Sequence, residues 1–163
     1  MQTPSEQALS HILNLPLTKT TRNELVQYFH FGHTHYTTPQ GLILDVGAYT
    51  LAVNCPWQLA HPQGDAIKHS EVFMRKREAG MPALKWDWKV PGANLRDQRL
   101  KDLLNEGAAL VVERVEQTEN GGFILYFANH YQLAVSPDPE KAATEVWQLF
   151  SNLNDGFAYS PTH

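Results

Sequence analysis

The chain has 163 residues, of which 18% are charged, and it carries a net charge of -4 when its eight histidines are neutral. A chain of this length buries roughly 70% of its extended surface on folding, so it can form a core without disulfides or a structural metal. The negative charge argues against a general nucleic-acid binder and against attachment to an anionic membrane, because both depend on a basic surface.

The first half of the chain predicts a short helix followed by strands. Residues 3–13 have an apolar helical face, which ends at the stretch from Asn14 to Pro16. Aromatic and polar residues alternate from 17 to 31, which predicts a strand. Further strands are predicted at 42–46, 49–55 and 66–69, with a polar loop at 32–41 and a separate edge segment at 57–60.

The second half predicts a helix, a three-stranded meander and a final helix. Residues 70–92 show no regular pattern and predict a long irregular connection. Asn94 is a favourable N-cap for a helix that runs to about Glu106. The remaining predictions are strands at 110–119, 122–128 and 131–136, a helix at 140–153 and a loose tail at 154–163.

Two segments of the chain resemble each other. Residues 41–53 and 122–135 share the pattern G-x-I-L followed by Y-x-L-A-V, with one residue inserted in the second. Chance is one explanation, because β-hairpins draw on few residue types. The other is two related strand–turn–strand units, flanked by the similar segments that begin at Trp57 and Trp147.

Under either explanation we expect an α+β fold. It consists of an antiparallel β-sheet of hairpins and a meander, with a possible pseudo-repeat and with helices packed on one face. Residues 1–163 are expected to form a single domain.

The start of the chain and its cysteine content predict a cytoplasmic protein. The first residues lack the basic region and the apolar run of about 7 to 15 residues that a signal peptide requires. No window approaches the roughly 20 apolar residues of a membrane span. Cys55 has no second cysteine to pair with, which suits a reducing compartment. We expect it to be buried, with a catalytic thiol as the alternative.

The histidines at 30, 33 and 35 are the strongest candidates for a metal site. Three imidazoles within six residues could supply the nitrogen ligands that zinc favours. Their spacing matches no established ligand motif, so exposed loop histidines and a pH-sensitive partner contact are alternatives. Because motifs for nucleophilic catalysis and for phosphate or dinucleotide binding are also absent, an enzyme is unsupported and no cofactor is expected.

Two tryptophans form a candidate contact surface. Trp86 and Trp88 flank Asp87 in an extended segment, so both side chains would point the same way. If exposed, they would form the rigid apolar patch typical of binding hot spots. The alternative is that they cover the open face of the sheet.

Short motifs spread over the chain resemble those of a family of small bacterial proteins of unknown function. The motifs include R22-N-E, F29-H-F-G, G47-A-Y-T-L, C55-P-W, N94-L-R-D, Y131-Q-L and W147-Q-L-F. The resemblance covers residues from about Leu17 to Phe150 and implies a compact α+β domain without an assigned activity. Arg22 and Trp57 lie within these motifs, and we include them in the candidate binding site with Trp86, Asp87 and Trp88.

The function expected from these observations is a non-enzymatic protein-interaction module. Its specific form is an immunity-type inhibitor of a bacterial toxin, because a negative charge would steer it towards a basic, nuclease-like partner. A homodimer paired through exposed strand edges is left open. The alternative function is a metal-dependent or small-molecule-binding enzyme that uses His30, His33 and His35.

Overall fold

The computed structural model describes residues 3–74, 87–106, 110–141, 146–153 and 155–161. These residues form two five-stranded antiparallel sheets, a separate two-stranded hairpin and two α-helices. The strands are β1 Leu17–Asn23, β2 Val26–Phe31, β3 Thr34–Thr37, β4 Ile43–Val46, β5 Tyr49–Val53, β6 Trp57–Ala60, β7 Ile67–Lys68, β8 Val112–Gln117, β9 Phe123–Phe127, β10 Gln132–Val135, β11 Trp147–Ser151 and β12 Ala158–Tyr159. The helices are α1 Pro4–Leu9 and α2 Leu95–Asn105, with 3-10 turns at Ser10–Ile12, His69–Phe73 and Glu119–Gly121.

Both sheets contribute to one hydrophobic core. The first sheet has the strand order β1-β2-β5-β11-β12, and the second has the order β7-β6-β10-β9-β8. Strand β2 shows how the alternating sequence builds the core, because Gln27, Phe29 and Phe31 are buried while the intervening Tyr28 and His30 are only half-buried. The predicted antiparallel hairpins and meander are therefore confirmed.

The helices begin where capping residues favour them. The hydroxyl of Thr3 accepts the Glu6 amide at the start of α1, and the side chain of Asn94 accepts the Asp97 amide at 2.8 Å at the start of α2. Helix α1 contacts β8, whereas α2 contacts β1 and β7, which are edge strands of the two sheets. The expectation that helices cover one face of a sheet is not confirmed, and the helical content of the described residues is small.

The helix predicted for residues 140–153 is wrong, because residues 147–151 form strand β11. Trp147 and Leu149 are buried while Gln148 is exposed, which is the period of a strand, and β11 pairs with β5. Residues 142–145, which carry part of the predicted apolar helix face, lie outside the described residues. Ala158–Tyr159, within the segment expected to be a loose tail, form β12 on the edge of the same sheet.

Two further expectations for the first half are corrected. The segment 57–60 is not a separate edge, because β6 lies between β7 and β10. The predicted polar loop at 32–41 contains β3, which pairs with β4 to form a hairpin. Neither strand of this β3–β4 hairpin joins one of the five-stranded sheets.

The two halves of the chain repeat the same order of elements and exchange strands. In the first half α1 precedes β1, β2 and β5, which are adjacent in one sheet, while β6 and β7 join the other sheet. In the second half α2 precedes β8, β9 and β10, and β11 and β12 cross back in the same way. Each half therefore supplies three strands to one sheet and two to the other.

The strand register supports this internal repeat. Val53 lies opposite Trp147, and Val135 lies opposite Trp57. The pairing also shifts at equivalent points, between Leu17 and Lys19 in β1 and between Val112 and Arg114 in β8. The register thus places β1 in correspondence with β8, β2 with β9, β5 with β10, and β6 with β11.

The similarity between residues 41–53 and 122–135 is only partly structural. The shared Y-x-L-A-V segments belong to the corresponding strands β5 and β10. The preceding segments do not correspond, because β9 pairs with β10 whereas β4 pairs with β3. The β3–β4 hairpin is therefore an insertion in the first half, at the position where a three-residue turn, 128–130, joins β9 to Tyr131 in the second.

Candidate functional site

Trp57 belongs to the core and not to a contact surface. Its side chain is 4% exposed, and its ring packs edge-on against Phe29 with 5.1 Å between the centroids. The prediction that Trp57 contributes to a binding site is therefore not supported by its position.

Arg22 is a structural residue that connects β1 to the start of α2. Its Nε donates to both carboxylate oxygens of Asp97, at 2.9 and 2.8 Å, and its Nη2 donates to the carbonyl of Trp88 at 2.7 Å. The Arg22 side chain is only 6% exposed. Because these hydrogen bonds occupy the guanidinium, few of its donors remain for a ligand.

The other predicted contact residues lie beside Arg22. Asp87 is exposed, and its carboxylate accepts the Lys89 amide at 3.0 Å. The half-buried ring of Trp88 lies 5.2 Å from Phe73 and 5.8 Å from the guanidinium of Arg22. Trp86 lies outside the described residues. We call the surface formed by Phe73, Met74, Trp88 and Val90 the Trp88 patch; apart from Trp88, each of these side chains is about half exposed.

The three clustered histidines do not form a metal site. His33 is exposed beyond the end of β2, and His35 contacts Asp45 across the β3–β4 hairpin at 2.9 Å. His30 lies on the outer face of the first sheet and contacts two threonines. Among the described residues, no group of three His, Cys, Asp or Glu side chains is placed to hold a metal ion.

His30 instead lies in a pocket of 370 Å³, which we call the His30 pocket. Its Nε2 lies 2.7 Å from the hydroxyl of Thr21, and its Nδ1 lies 3.3 Å from the hydroxyl of Thr50. Burial, and then the positive charge of Lys19, lower the pKa of His30 below its usual value. His30 is therefore neutral near pH 7.

The β3–β4 hairpin forms one wall of this pocket. Asp45 and Val46 at the end of β4 line it, and the chain then passes over His30 at Gly47. Asn152, beyond β11, closes the other side by donating to the carbonyl of Gly47 at 2.8 Å. The sequence offered His30 as a metal ligand beside His33 and His35, whereas its neighbours in the structure are Thr21, Thr50 and Asn152.

The outer part of the hairpin is an exposed apolar surface. Its members are 46% to 69% exposed, and we call them the hairpin surface: Tyr36, Leu42, Ile43 and Leu44. Tyr36 lies opposite Leu44 in the strand register, so both belong to one face of the hairpin. A groove of 420 Å³ beside this face is lined by Tyr36, Val46, Ser151, Asn152 and Leu153. The run L-I-L at 42–44 signalled a strand, but nothing in the sequence showed that it stays outside the sheets.

Within the part of the chain that the structure describes, no helix has both the length and the apolar character needed to cross a membrane. Comparisons with protein-family models, with curated proteins and with solved structures found no match to this chain.

Proposed function

We propose that this chain is a non-enzymatic protein-interaction module that binds its partner through the hairpin surface. The observation that carries this proposal is the β3–β4 hairpin, which is inserted in one half of an internal repeat and exposes large apolar side chains. A two-stranded hairpin that joins no larger sheet is marginally stable in water. Exposed apolar side chains on it are characteristic of a surface that a partner covers.

The hairpin also offers its backbone to a partner. Because β3 and β4 pair only with each other among the described strands, each has an outer edge whose amides and carbonyls can pair with an added strand. Backbone pairing would supply affinity, and side chains such as Ile43 and Leu44 would supply specificity.

The partner we propose is a basic protein, and the form of the function is inhibition of a bacterial toxin. A net charge of -4 attracts a positively charged partner and raises its association rate. Covering an active site requires a binding surface and no catalytic group.

The test compares two double variants of the full chain. Ile43→Ser with Leu44→Ser removes apolar area from the hairpin surface, and Met74→Ser with Val90→Ser removes it from the Trp88 patch as a matched control. All four side chains are at least 46% exposed, so we expect both proteins to fold with near wild-type stability. Each protein is used to capture partners from its native host, and the captured protein is expressed alone to measure its effect on growth.

We expect the captured protein to stop growth and the wild-type chain or the Met74/Val90 variant to restore it when co-expressed. The hairpin variant should bind at least tenfold more weakly and should not restore growth. A captured protein that does not impair growth would refute the toxin proposal. A hairpin variant that protects as well as the wild type would refute the role of the hairpin.

A further inference from the structure

In the tautomer of His30 that carries its proton on Nε2, the hydrogen bonds around the ring run in one direction, towards Thr21. The side-chain nitrogen of Asn152 donates to the Gly47 carbonyl at 2.8 Å, which fixes its orientation, and also to the Thr50 hydroxyl at 3.0 Å. Thr50 therefore has its own proton available for Nδ1 of neutral His30. In this tautomer the Nε2 proton is donated to the hydroxyl of Thr21 at 2.7 Å.

This direction leaves a donor without an acceptor. Thr21 accepts from His30, so its hydroxyl proton points elsewhere, and no acceptor for it occurs among the described residues. Lys19 lies two positions earlier on the same face of β1 and makes no ion pair within the described part of the chain. Both residues line the His30 pocket. The pocket thus presents a hydroxyl donor and an ammonium group side by side.

The corresponding positions in the second half of the repeat show which chemical group such donors bind. In the strand register, Lys19 lies opposite His30 and Arg114 lies opposite Tyr126. Each pair directly follows the shift in pairing, so Lys19 corresponds to Arg114 and His30 corresponds to Tyr126. Glu116, two residues after Arg114, therefore occupies the position that corresponds to Thr21.

In the second half the side chains at these positions form hydrogen bonds with one another. The hydroxyl of Tyr126 donates to Glu116 at 2.7 Å, and Arg114 lies 3.4 Å from the same carboxylate oxygen. The first half keeps the cation and the hydrogen-bonding ring but has Thr21 in place of the carboxylate. No carboxylate occupies the position of Glu116 beside Lys19, and the carboxylate that does line the pocket, Asp45, contacts His35 across the hairpin at 2.9 Å.

We propose that the His30 pocket binds a carboxylate supplied by a ligand, held by the Lys19 ammonium and the Thr21 hydroxyl. Val46 and Phe150 also line the pocket, so a carboxylate with a small apolar body fits its 370 Å³. The carboxylate can come from a free small molecule or from an acidic side chain of a bound protein. None of the four residues of the hairpin surface lines this site, and its test needs no partner protein.

The test uses phenylacetate as a small-molecule probe and phenylacetamide as its uncharged control. N-acetylglutamate N-methylamide represents a protein side chain. Binding to the full chain is measured by NMR titration of backbone amides together with the ring protons of His30. We expect saturable shifts at Thr21 and His30 with at least one of the two carboxylates and none with phenylacetamide. Saturation by only one carboxylate identifies the source of the natural ligand.

Three variants and a control assign the binding to its residues. Lys19→Gln and Thr21→Val should each weaken binding about tenfold, because each loses one donor to a charged acceptor. Thr21→Glu reproduces the second half of the repeat by supplying the carboxylate internally, and it should abolish binding. Lys101→Gln, on the exposed side of α2, removes a comparable charge and should leave binding unchanged.

Three results would overturn the proposal. These are equal binding of phenylacetamide and phenylacetate, wild-type affinity in Lys19→Gln, and the absence of saturable binding by both carboxylates. If Thr21→Glu does not fold, Lys19→Gln and Thr21→Val decide the question alone.

Discussion

Gly47 lies so close to His30 that a β-carbon at position 47 would be 2.9 Å from the β-carbon of His30. A side chain cannot be accommodated there without moving the strand backbone, since the backbone atoms of His30 and Phe31 lie 3.3 Å from the same point. Glycine at this position therefore allows the chain to leave the β3–β4 hairpin in close contact with the backbone of His30.

We expect Gly47→Ala to lower the free energy of unfolding by about 1 to 3 kcal/mol, because overpacking shifts the backbone. Urea denaturation measures this loss. Gly64→Ala is the control, since nothing lies within 4 Å of a β-carbon built there. Equal stability of the two variants would contradict the close packing of Gly47 on His30.

The corresponding tryptophans of the two halves differ in hydrogen bonding. Trp147 donates its Nε1 proton to the Gly121 carbonyl at 2.7 Å, whereas Nε1 of Trp57 is buried without a hydrogen-bond partner in the described structure. We expect Trp147→Phe to cost about 1 kcal/mol more stability than Trp57→Phe, because only the first change leaves a carbonyl unpaired. Paired thermal or urea unfolding of the two variants tests this difference, and a larger loss for Trp57→Phe would contradict it.

Breaking the pair between Arg22 and Asp97 should be strongly destabilising. Asp97→Asn leaves a guanidinium that is only 6% exposed without its carboxylate, for which we expect a loss of about 3 kcal/mol. The matched control is Arg114→Met, which breaks a pair whose side chains are 61% and 48% exposed and should cost about 0.5 kcal/mol or less. A small effect of Asp97→Asn on urea denaturation would return Arg22 to the candidates for ligand binding.

Stability should fall as the pH is lowered below neutrality. Burial, and then the positive charge of Arg96, lower the pKa of His69 to about 4. The unfolded chain therefore binds a proton that folded His69 resists, so stability decreases as pH falls from about 6.5 towards 4 and is affected little above that range. NMR titration of the His69 ring measures the pKa directly.

His69→Gln should reduce this pH dependence to the part contributed by His30, whose pKa is also lowered, whereas the exposed His33→Gln should not reduce it. Unfolding free energies of both variants between pH 4 and pH 7 provide the comparison. A His69 ring that titrates near 6.5 would contradict the buried environment described here.

Local patterns in the sequence predicted most strands because one face of each strand is buried. The alternation of Phe29 and Phe31 with His30 and the meander from 110 to 136 translate directly into β2 and β8–β10. Asn94 likewise marked the start of α2 through its capping side chain. These features depend on neighbours in the chain, which a single sequence contains.

The incorrect secondary-structure predictions have a common physical cause, which is that a strand is stabilised by pairing with another strand distant in the sequence. Trp147 and Phe150 satisfy a helical period, yet Trp147 and Leu149 also alternate as a strand, and the pairing of β11 with β5 decides between the two. One signal in the sequence favoured a strand at residue 147. The sequence W-Q-L occurs at both 57 and 147, and the first copy was expected to be extended.

The candidate site was predicted less well for the same reason. Trp57 and Arg22 carried motif signals but are a core residue and a structural ion-pair residue. His30 was named only as a candidate metal ligand, and Thr21 and Asn152 gave no signal of their own. Of the hairpin surface, Leu42, Ile43 and Leu44 were predicted to lie in a strand, whereas Tyr36 was placed in a polar loop.

The most direct test of the proposed function removes the inserted hairpin. Residues 32–48 are replaced by Ala-Asn-His, the sequence that joins β9 to Tyr131 in the other half of the repeat. We predict a shortened protein that still unfolds cooperatively by circular dichroism but no longer binds the captured toxin or restores growth. A folded, shortened protein that binds and protects as well as the wild type would contradict the account.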